Sequence, residues 1–376
     1  MRCLHYATII ARLPQKNASA LLCLVVLCSF TCSMSSARHD GGARLAESDE
    51  RFLRLVENAV TGSLHDEAGA CNMSFQREGC PLDKLVPYVK QLRVDGTDWP
   101  PFAHTMIGHT RLRNLRQAIE NVTAAQVPGD VVELGVWRGG ACVYAKAVVD
   151  ILEPRDAHPG RIVHLFDAFG VLDMYRDGGK TDGKAAFLAT DDKQVRHTFD
   201  KYGLLDERVK LHKGMFNNTL PVFRAAAKAV GTQIAVLRVD GNTYGSYQDA
   251  FYNLYELVPV GGVVILDDVF HSHPVLRFWR DFKREQKLPE ILLHVDPNVG
   301  MTGGWFQKTR DAKLDWKFYR SDPAIYTYAY GRGQRHSSPR GPRTHATRAT
   351  KDMGFRRYRK YNRPEAKINH DRRGMG

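Results

Sequence analysis

Residues 233–268 read QIAVLRVDGNTYGSYQDAFYNLYELVPVGGVVILDD. QIAVLRV is apolar and partly β-branched, and it stops at Asp240-Gly241. In the segment that follows, Tyr247, Phe251, Leu254 and Tyr255 recur at helical spacing. Pro259 and Gly261-Gly262 end that helix, and VVIL is a short buried strand closing at Asp267-Asp268. The stretch is therefore strand, helix, strand, with an acidic residue after each strand. In an open parallel sheet, the carboxyl ends of neighbouring strands line the ligand crevice. Asp240 and the Asp267-Asp268 pair are expected to meet there, although Asp267 lies 27 positions beyond Asp240. Three carboxylates on one spot repel unless a cation sits between them, and hard oxygen ligands suit Mg²⁺ or Mn²⁺. The competing reading leaves these acids as solvated loop caps.

Working outward, strands and helices alternate from Asp130 to about Lys308. DVVEL, RIVHLFD, VKLHKG and EILLHVD read as strands, and GGWFQK as a last one. Helices are expected over 48–64, 110–122, 139–152, 193–202, 221–230 and 275–287. This alternation predicts an α/β fold with a parallel, doubly wound sheet. At the first strand-to-helix turn stands VVELGVWRGG (131–140). Glycines there let the backbone approach a ligand, and the helix N-terminus offers free N–H groups. The spacing around Gly135, Gly139 and Gly140 is G-x-x-x-G-G, not the dinucleotide G-x-G-x-x-G, and no phosphate-loop lysine follows. A zwitterionic ligand such as the methionine part of S-adenosylmethionine (SAM) suits these glycines beside Glu133. Asp167, closing the second strand, is placed to accept both hydroxyls of a ribose.

The net charge of +13 resembles a nucleic-acid signal until it is located. Residues 332–376 hold 14 Lys/Arg against 3 Asp/Glu, or +11, so the preceding 331 residues carry only +2. The tail is poor in aliphatic residues and is expected to be disordered. An RNA- or acidic-glycan-binding arm is the alternative; no specific nucleic acid is expected as partner. Residues 1–37 combine Arg2, Arg12 and Lys16 with the apolar run ALLCLVVLCSF and the small residues SMSSA, and no acid precedes Asp40. That is the pattern of a secretory signal peptide, with an uncleaved anchor or an organelle transit peptide as alternatives. Cys71 and Cys80 flank a short loop and are a candidate disulfide in an oxidising compartment, whereas Cys142 reads as a buried free thiol. The sequons at Asn72, Asn121 and Asn217 fit secretion, each weakly.

The stretches DWPPFAHTMIGHTRLRNL (98–115), VPGDVVELGVWRGGACV (127–143), FDAFG (166–170), KGMFNNTLP (213–221) and the opening segment together resemble the macrocin O-methyltransferase family. The resemblance runs from about Arg51 to about Lys308. It implies a Rossmann-like class I SAM-dependent methyltransferase fold whose last strand, GGWFQK, inserts antiparallel. It also implies Mg²⁺ ligands at Asp240, Asp267 and Asp268, with Asp240 the general base. SAM contacts are implied at Glu133, Gly135 and Asp167, with Gly139 and Gly140 in the same turn and Gly214 and Phe216 two strands on. Trp99, His104, Thr105 and Met106 resemble the family's lid over the cofactor. The chain departs from the family pattern at Leu134, at Asn242, Tyr244, Gly245 and Ser246, and at Val269. These changes fall where an acceptor would be contacted. Asn242 reads either as a replaced polar contact or as a turn residue. His271 and His273 follow the Asp pair, either to assist proton transfer or as surface loop residues.

The expected organisation is a leader (1–37), an N-terminal helix and lid region (38–109), a methyltransferase core (110–310) and a C-terminal extension ending in the basic tail (311–376). The expected activity is SAM- and Mg²⁺-dependent O-methylation of a sugar or similar hydroxylated acceptor, a glycan included, in the ER or Golgi lumen or outside the cell, with organelle import as the alternative. Two other readings stand beside it: a catalytically inactive secreted SAM- or glycan-binding protein, and a nucleic-acid methyltransferase working through the tail. Membrane attachment is expected only if the leader is uncleaved, and a homo-oligomer is left open.

Overall fold

β1 (Asp130–Leu134), β2 (Val163–Asp167), β3 (Val209–Lys213), β4 (Ile234–Val239), β5 (Val263–Leu266) and β6 (Gly304–Gln307) form one six-stranded sheet. Its order is β3-β2-β1-β4-β5-β6. The first five strands run parallel, and β6 pairs antiparallel with β5, Val263 opposite Gln307. The α/β class, the doubly wound sheet and the final antiparallel strand are all as the sequence predicts. The computed structural model describes residues 45–69, 85–154, 160–170, 187–270, 272–295 and 303–321, together with the backbone of a small hairpin at 176–177 and 180–181. The leader, Cys71, Cys80, the Asn72 sequon, His271 and the basic tail lie outside these residues. All described residues belong to one unit, Met1–Arg332. Among them no helix is long and apolar enough to cross a membrane.

Strand side chains alternate between faces, and the two halves of the core follow that alternation. Val131, Leu165, Val236, Val263 and Ile265 pack against α1 (Glu47–Val60), α3 (Gly108–Ala124), α4 (Gly140–Leu152) and α5 (Asp192–Lys201). Val132, Leu134, Phe166, Leu237, Val239, Val264 and Leu266 pack against α6 (Phe216–Val230), α7 (Tyr244–Leu254) and α8 (His273–Glu285). A short helix, α2 (Lys90–Asp95), precedes α3. Both faces of β1 and β4 are covered, which is why those strands are near-continuous apolar runs rather than alternating ones.

Two expectations shift. α6 begins at Phe216, not Pro221. Pro221 is the sixth residue of that helix, where it lacks the N–H that would bond back to Asn217 O, so the helix forms through the proline at the loss of one backbone bond. EILLHVD forms a single bridge, His294 to Trp305, instead of a strand. Leu292 is 72% exposed there, so only one side of that segment meets the sheet edge.

Candidate active site

Strand register builds the site. Glu133 on β1 lies directly opposite Arg238 on β4, and the ladder continues as Asp240 N–H donates to Leu134 O (2.8 Å) and Asp267 N–H to Val239 O (2.9 Å). With period 2, Glu133, Arg238, Asp240 and Asp267 share the face covered by α3. Arg238 is 2% exposed and donates to Glu133, to Asp240 Oδ2 (3.0 Å) and to Asp267 Oδ1 (2.6 Å). Arg111, on the first turns of α3, reaches the other oxygen of Asp267 at 2.5 Å. Asp268 points to the opposite side of the strand end, where its Oδ2 accepts the Asn242 N–H at 3.0 Å. Tyr247 ties the two strand ends together. Its hydroxyl donates to Val239 O (2.7 Å) and accepts the Asp268 N–H (3.2 Å).

Carboxylate oxygens of Asp240, Asp267 and Asp268 lie within 4.8 Å of one another, the one such cluster among the described residues. Their electrostatics differ. Burial and the like charges of Asp267 and Asp268 hold the Asp240 carboxyl well above its usual range, against the pull of Arg238 and Arg111. Burial and Asp267 push Asp268 up to about 6. Burial would raise Asp267 too, but Arg111 and Arg238 outweigh it and bring that carboxyl below the usual range. Four acids (Glu133, Asp240, Asp267, Asp268) face two guanidiniums, which leaves a formal charge of −2. The residues present thus fit a divalent cation: the donors are hard oxygens, and the residual charge is what such an ion neutralises.

The glycine turn has a different logic from the one its sequence suggests. A Cβ on Gly135, at φ +88°, would stand 1.9 Å from Asp240 O. This glycine is demanded by the neighbouring strand end. Gly140 donates its N–H to His104 O at 2.8 Å, and a Cβ there would meet the His104 backbone at 2.5 Å. Gly139, at φ +87°, caps α4. Asp167 Oδ2 accepts the N–H groups of Val136 (2.8 Å) and Trp137 (3.2 Å), and Oδ1 accepts Phe169 N–H (2.9 Å). A carboxylate has about four acceptor positions, and the Ala168 backbone is a fourth donor to this one, so a ribose hydroxyl would share an oxygen already bonded to the turn. Glu133 faces inward, its second oxygen accepting the Cys142 thiol at 2.6 Å. Burial raises both, Glu133 in spite of Arg238 and Cys142 well above a thiol's usual value. Cys142 is a buried free thiol, as expected.

Over this turn lies a stack. Trp137 holds a left-handed backbone (φ +50°), uncommon for a bulky residue. Asp167 takes its N–H, its indole N–H donates to Phe187 O (3.1 Å), and Arg138 lies 4.2 Å over its ring. Phe187 in turn stacks on Trp99 of the lid at 5.3 Å. His104 and Thr105 donate their N–H groups to Val60 O, and His104 Nδ1 lies 3.0 Å from the Tyr202 hydroxyl. Burial, with Lys201 and Arg138 nearby, lowers His104 to about 4, so its ring is neutral. Met106 is half-buried in the same segment, its carbonyl 3.5 Å from Arg111. Gly214, at φ +142°, donates to Asp167 O, and Phe216 reaches Gly241 beyond β4. Beside them Asn217 Oδ1 is buried without a partner, an acceptor for a ligand donor such as an adenine amino group. A cradle of this kind fits SAM.

Sequence reasoning missed Arg238, Arg111, Tyr247 and Asn217. The signal for Arg238 was present, since residues two apart on a strand share a face and Asp240 follows it by two. His273 opens α8, while Ser272 Oγ donates to Asn242 O at 3.1 Å. Asn242 itself has φ +58°, a left-handed turn conformation that asparagine tolerates.

Residues 57–308 match the family model described as Macrocin-O-methyltransferase (TylF). Demethyldecarbamoylnovobiocin O-methyltransferase of Streptomyces niveus is 39% identical over 266 residues, 69% of this chain and 94% of that protein. An enzyme of Streptomyces olivaceus, 8-demethyl-8-(2,3-dimethoxy-alpha-L-rhamnosyl)-tetracenomycin-C 4'-O-methyltransferase, is 40% identical over 226 residues, 58% of this chain and 78% of that protein. The solved structure of the O-methyltransferase NovP superposes with a TM-score of 0.56 at 34% identity, covering 70% of this chain and all of that one. The chain belongs to the macrocin O-methyltransferase family and is a SAM-dependent O-methyltransferase. These relatives correct one expectation. They are enzymes of bacteria, which have no ER, Golgi or import-competent organelle, so placement in the secretory pathway, with organelle import as its alternative, is overturned.

Proposed function

We propose that this enzyme methylates a hydroxyl of a sugar or similarly hydroxylated small acceptor, with Mg²⁺ held by Asp240, Asp267 and Asp268 and with Asp240 as general base. The observation that carries the reading is the cluster itself: three carboxylates within 4.8 Å at the ends of β4 and β5, β4 being the strand beside the one that carries the glycine turn. The rhamnosyl group in one relative's name supports a sugar acceptor. When bound, SAM supplies the electrophilic methyl group, and the cation supplies positioning and acidification of the acceptor hydroxyl.

The chain's own residues do the rest. Asp240 is 22% exposed at its side chain against 5% for Asp267, so it is the carboxylate that opens towards an acceptor. Without the cation, burial and its two acidic neighbours raise its proton affinity. Arg238 and Arg111 keep Asp267 ionised and oriented. The cofactor is held by the turn at Gly135, Gly139 and Gly140, by Asp167, by the Gly214–Asn217 segment and by the lid at Met106. Most of the acceleration then comes from holding the two reactants in register. The helix and lid region (38–109) and the core (110–310) act together in this reading.

The test is mass spectrometry of simple glycosides after incubation with enzyme, methyl-labelled SAM and Mg²⁺. A methylated glycoside is expected, lost with EDTA and restored by Mg²⁺ or Mn²⁺. Asp240→Asn should stop transfer while calorimetry still detects SAM binding. Full turnover in excess EDTA removes the metal from the reading, and turnover in Asp240→Asn removes the base.

A further inference from the structure

The lid segment is closed at its neck by two glycines. Gly96 (φ +65°) ends α2 and Gly108 (φ +72°) starts α3. A Cβ on Gly96 would stand 2.2 Å from Ile107 O, and one on Gly108 would stand 2.4 Å from Gly96 N. The backbones entering and leaving residues 97–107 are therefore in direct contact. Arg111 sits at that neck. It donates to Ile107 O (2.8 Å), Gly96 O (3.3 Å) and Met106 O (3.5 Å), all carbonyls of the neck. The same guanidinium holds Asp267 Oδ2 at 2.5 Å. One planar group thus spans the loop that carries Met106 and the carboxylate cluster at the end of β5. Its side chain is 13% exposed, so these bonds are largely shielded from water.

We infer that Arg111 is a positioning residue that couples the cofactor lid to the metal site. Its planar fork serves both partners at once, which a lysine's point charge cannot do. It also acts on the two ligands with opposite sign. Towards SAM it is favourable, because it fastens the loop that carries Met106 and Trp99. Towards a divalent cation it is unfavourable, because it occupies an oxygen of Asp267 and supplies one of the two positive charges that reduce the cluster to −2. A cation held by Asp267 would compete with Arg111 for Asp267 Oδ2, which would leave the guanidinium to the carbonyls of the neck that it already meets. Metal binding and lid closure therefore favour one another. The inference rests on the metal reading above.

The experiment compares wild type, Arg111→Ala and Arg111→Lys as full chains. Mn²⁺ binding is followed by electron paramagnetic resonance and SAM binding by calorimetry, with and without Mg²⁺, and a thermal melt checks the fold. Wild type should bind SAM about fivefold or more tightly when Mg²⁺ is present. Arg111→Ala should bind Mn²⁺ more tightly and SAM more weakly, each by about fivefold, and should lose the effect of Mg²⁺ on SAM. Arg111→Lys retains the charge without the fork, so it should keep Mn²⁺ affinity near wild type while still binding SAM weakly. A merely structural role lowers both affinities together and leaves the lysine variant intermediate in both. That pattern in a chain that binds Mn²⁺ normally as wild type overturns the coupling alone. Absence of Mn²⁺ uptake by wild type overturns the metal reading and the coupling with it.

Discussion

Removing Arg238 from the metal-free protein tests the charge network that the site is built on. Its guanidinium is 2% exposed and faces Glu133, Asp240 and Asp267, with Glu133 and Asp267 each 5% exposed at the side chain. Arg238→Met keeps much of the volume and leaves buried carboxylates without their cation. Breaking a buried pair from one side costs roughly 3–5 kcal/mol. For a domain of this size each kcal/mol moves the melting temperature by about 2–4 °C, so a fall of roughly 6–20 °C is expected at pH 8 in EDTA. The pH dependence has a definite sign. Asp267 is held below its ordinary range, so it contributes stability above its unfolded pKa that is lost as pH falls through its folded value. Arg238→Met forfeits part of that contribution, and its orphaned acids also become neutral in acid. Without Arg238, Glu133 and Asp240, already raised by burial, lose a charge that lowers them and take up protons more readily. The gap from wild type should therefore shrink between pH 8 and pH 5, whereas the Asp267 contribution is lost only below the ordinary carboxylate range. Adding Glu133→Gln to Arg238→Met removes one of the orphaned charges and should recover about 1 kcal/mol or more. Thermal and urea melts of wild type, Arg238→Met, Glu133→Gln and the double variant at several pH values measure all of this. A deficit below about 1 kcal/mol, a pH-independent deficit or strict additivity of the pair refutes the network as drawn.

Three further outcomes are expected. Mg²⁺ should raise the melting temperature more at pH 8 than at pH 5.5, because Asp240, raised by burial and its acidic neighbours, and Asp268, at about 6, hold protons that compete with the ion at the lower pH; an equal rise at both is the contrary result. Gly135→Ala should cost about 2–4 kcal/mol, the sum of left-handed strain and overpacking against Asp240 O at 1.9 Å, as read in a urea melt. Asp167→Asn halves the acceptors that hold Val136, Trp137 and Phe169, so calorimetry should find SAM affinity down about tenfold or more with the fold retained.

The sheet was legible in the chain because burial on both faces writes itself as apolar runs, and because an acid or glycine after each run marks the strand's carboxyl end. VVEL, HLFD, LRVD and VILDD carry both signals, so the order of elements and the convergence of Asp240, Asp267 and Asp268 follow from local pattern and one topological rule. EILLHVD carried the apolar signal too, yet bridges β6 only at His294, because strand formation there depends on a partner's edge rather than on the segment itself. What the acids do to one another was decided only in three dimensions. Register sets Glu133 against Arg238, and the α3 face brings Arg111 onto Asp267 across 156 positions of sequence, so that two guanidiniums share the site with the expected cation. The close contact of Gly135 and the donors to Asp167 were decided in the same way. Glycine spacing tells that a backbone comes close but not which one, and here it is the Asp240 carbonyl. A carboxylate after a strand tells that an acceptor stands there but not what donates, and here the backbone N–H groups of its own turns do. Local sequence fixes which groups are presented at a strand end; only packing fixes which partner, at which distance, each of them meets.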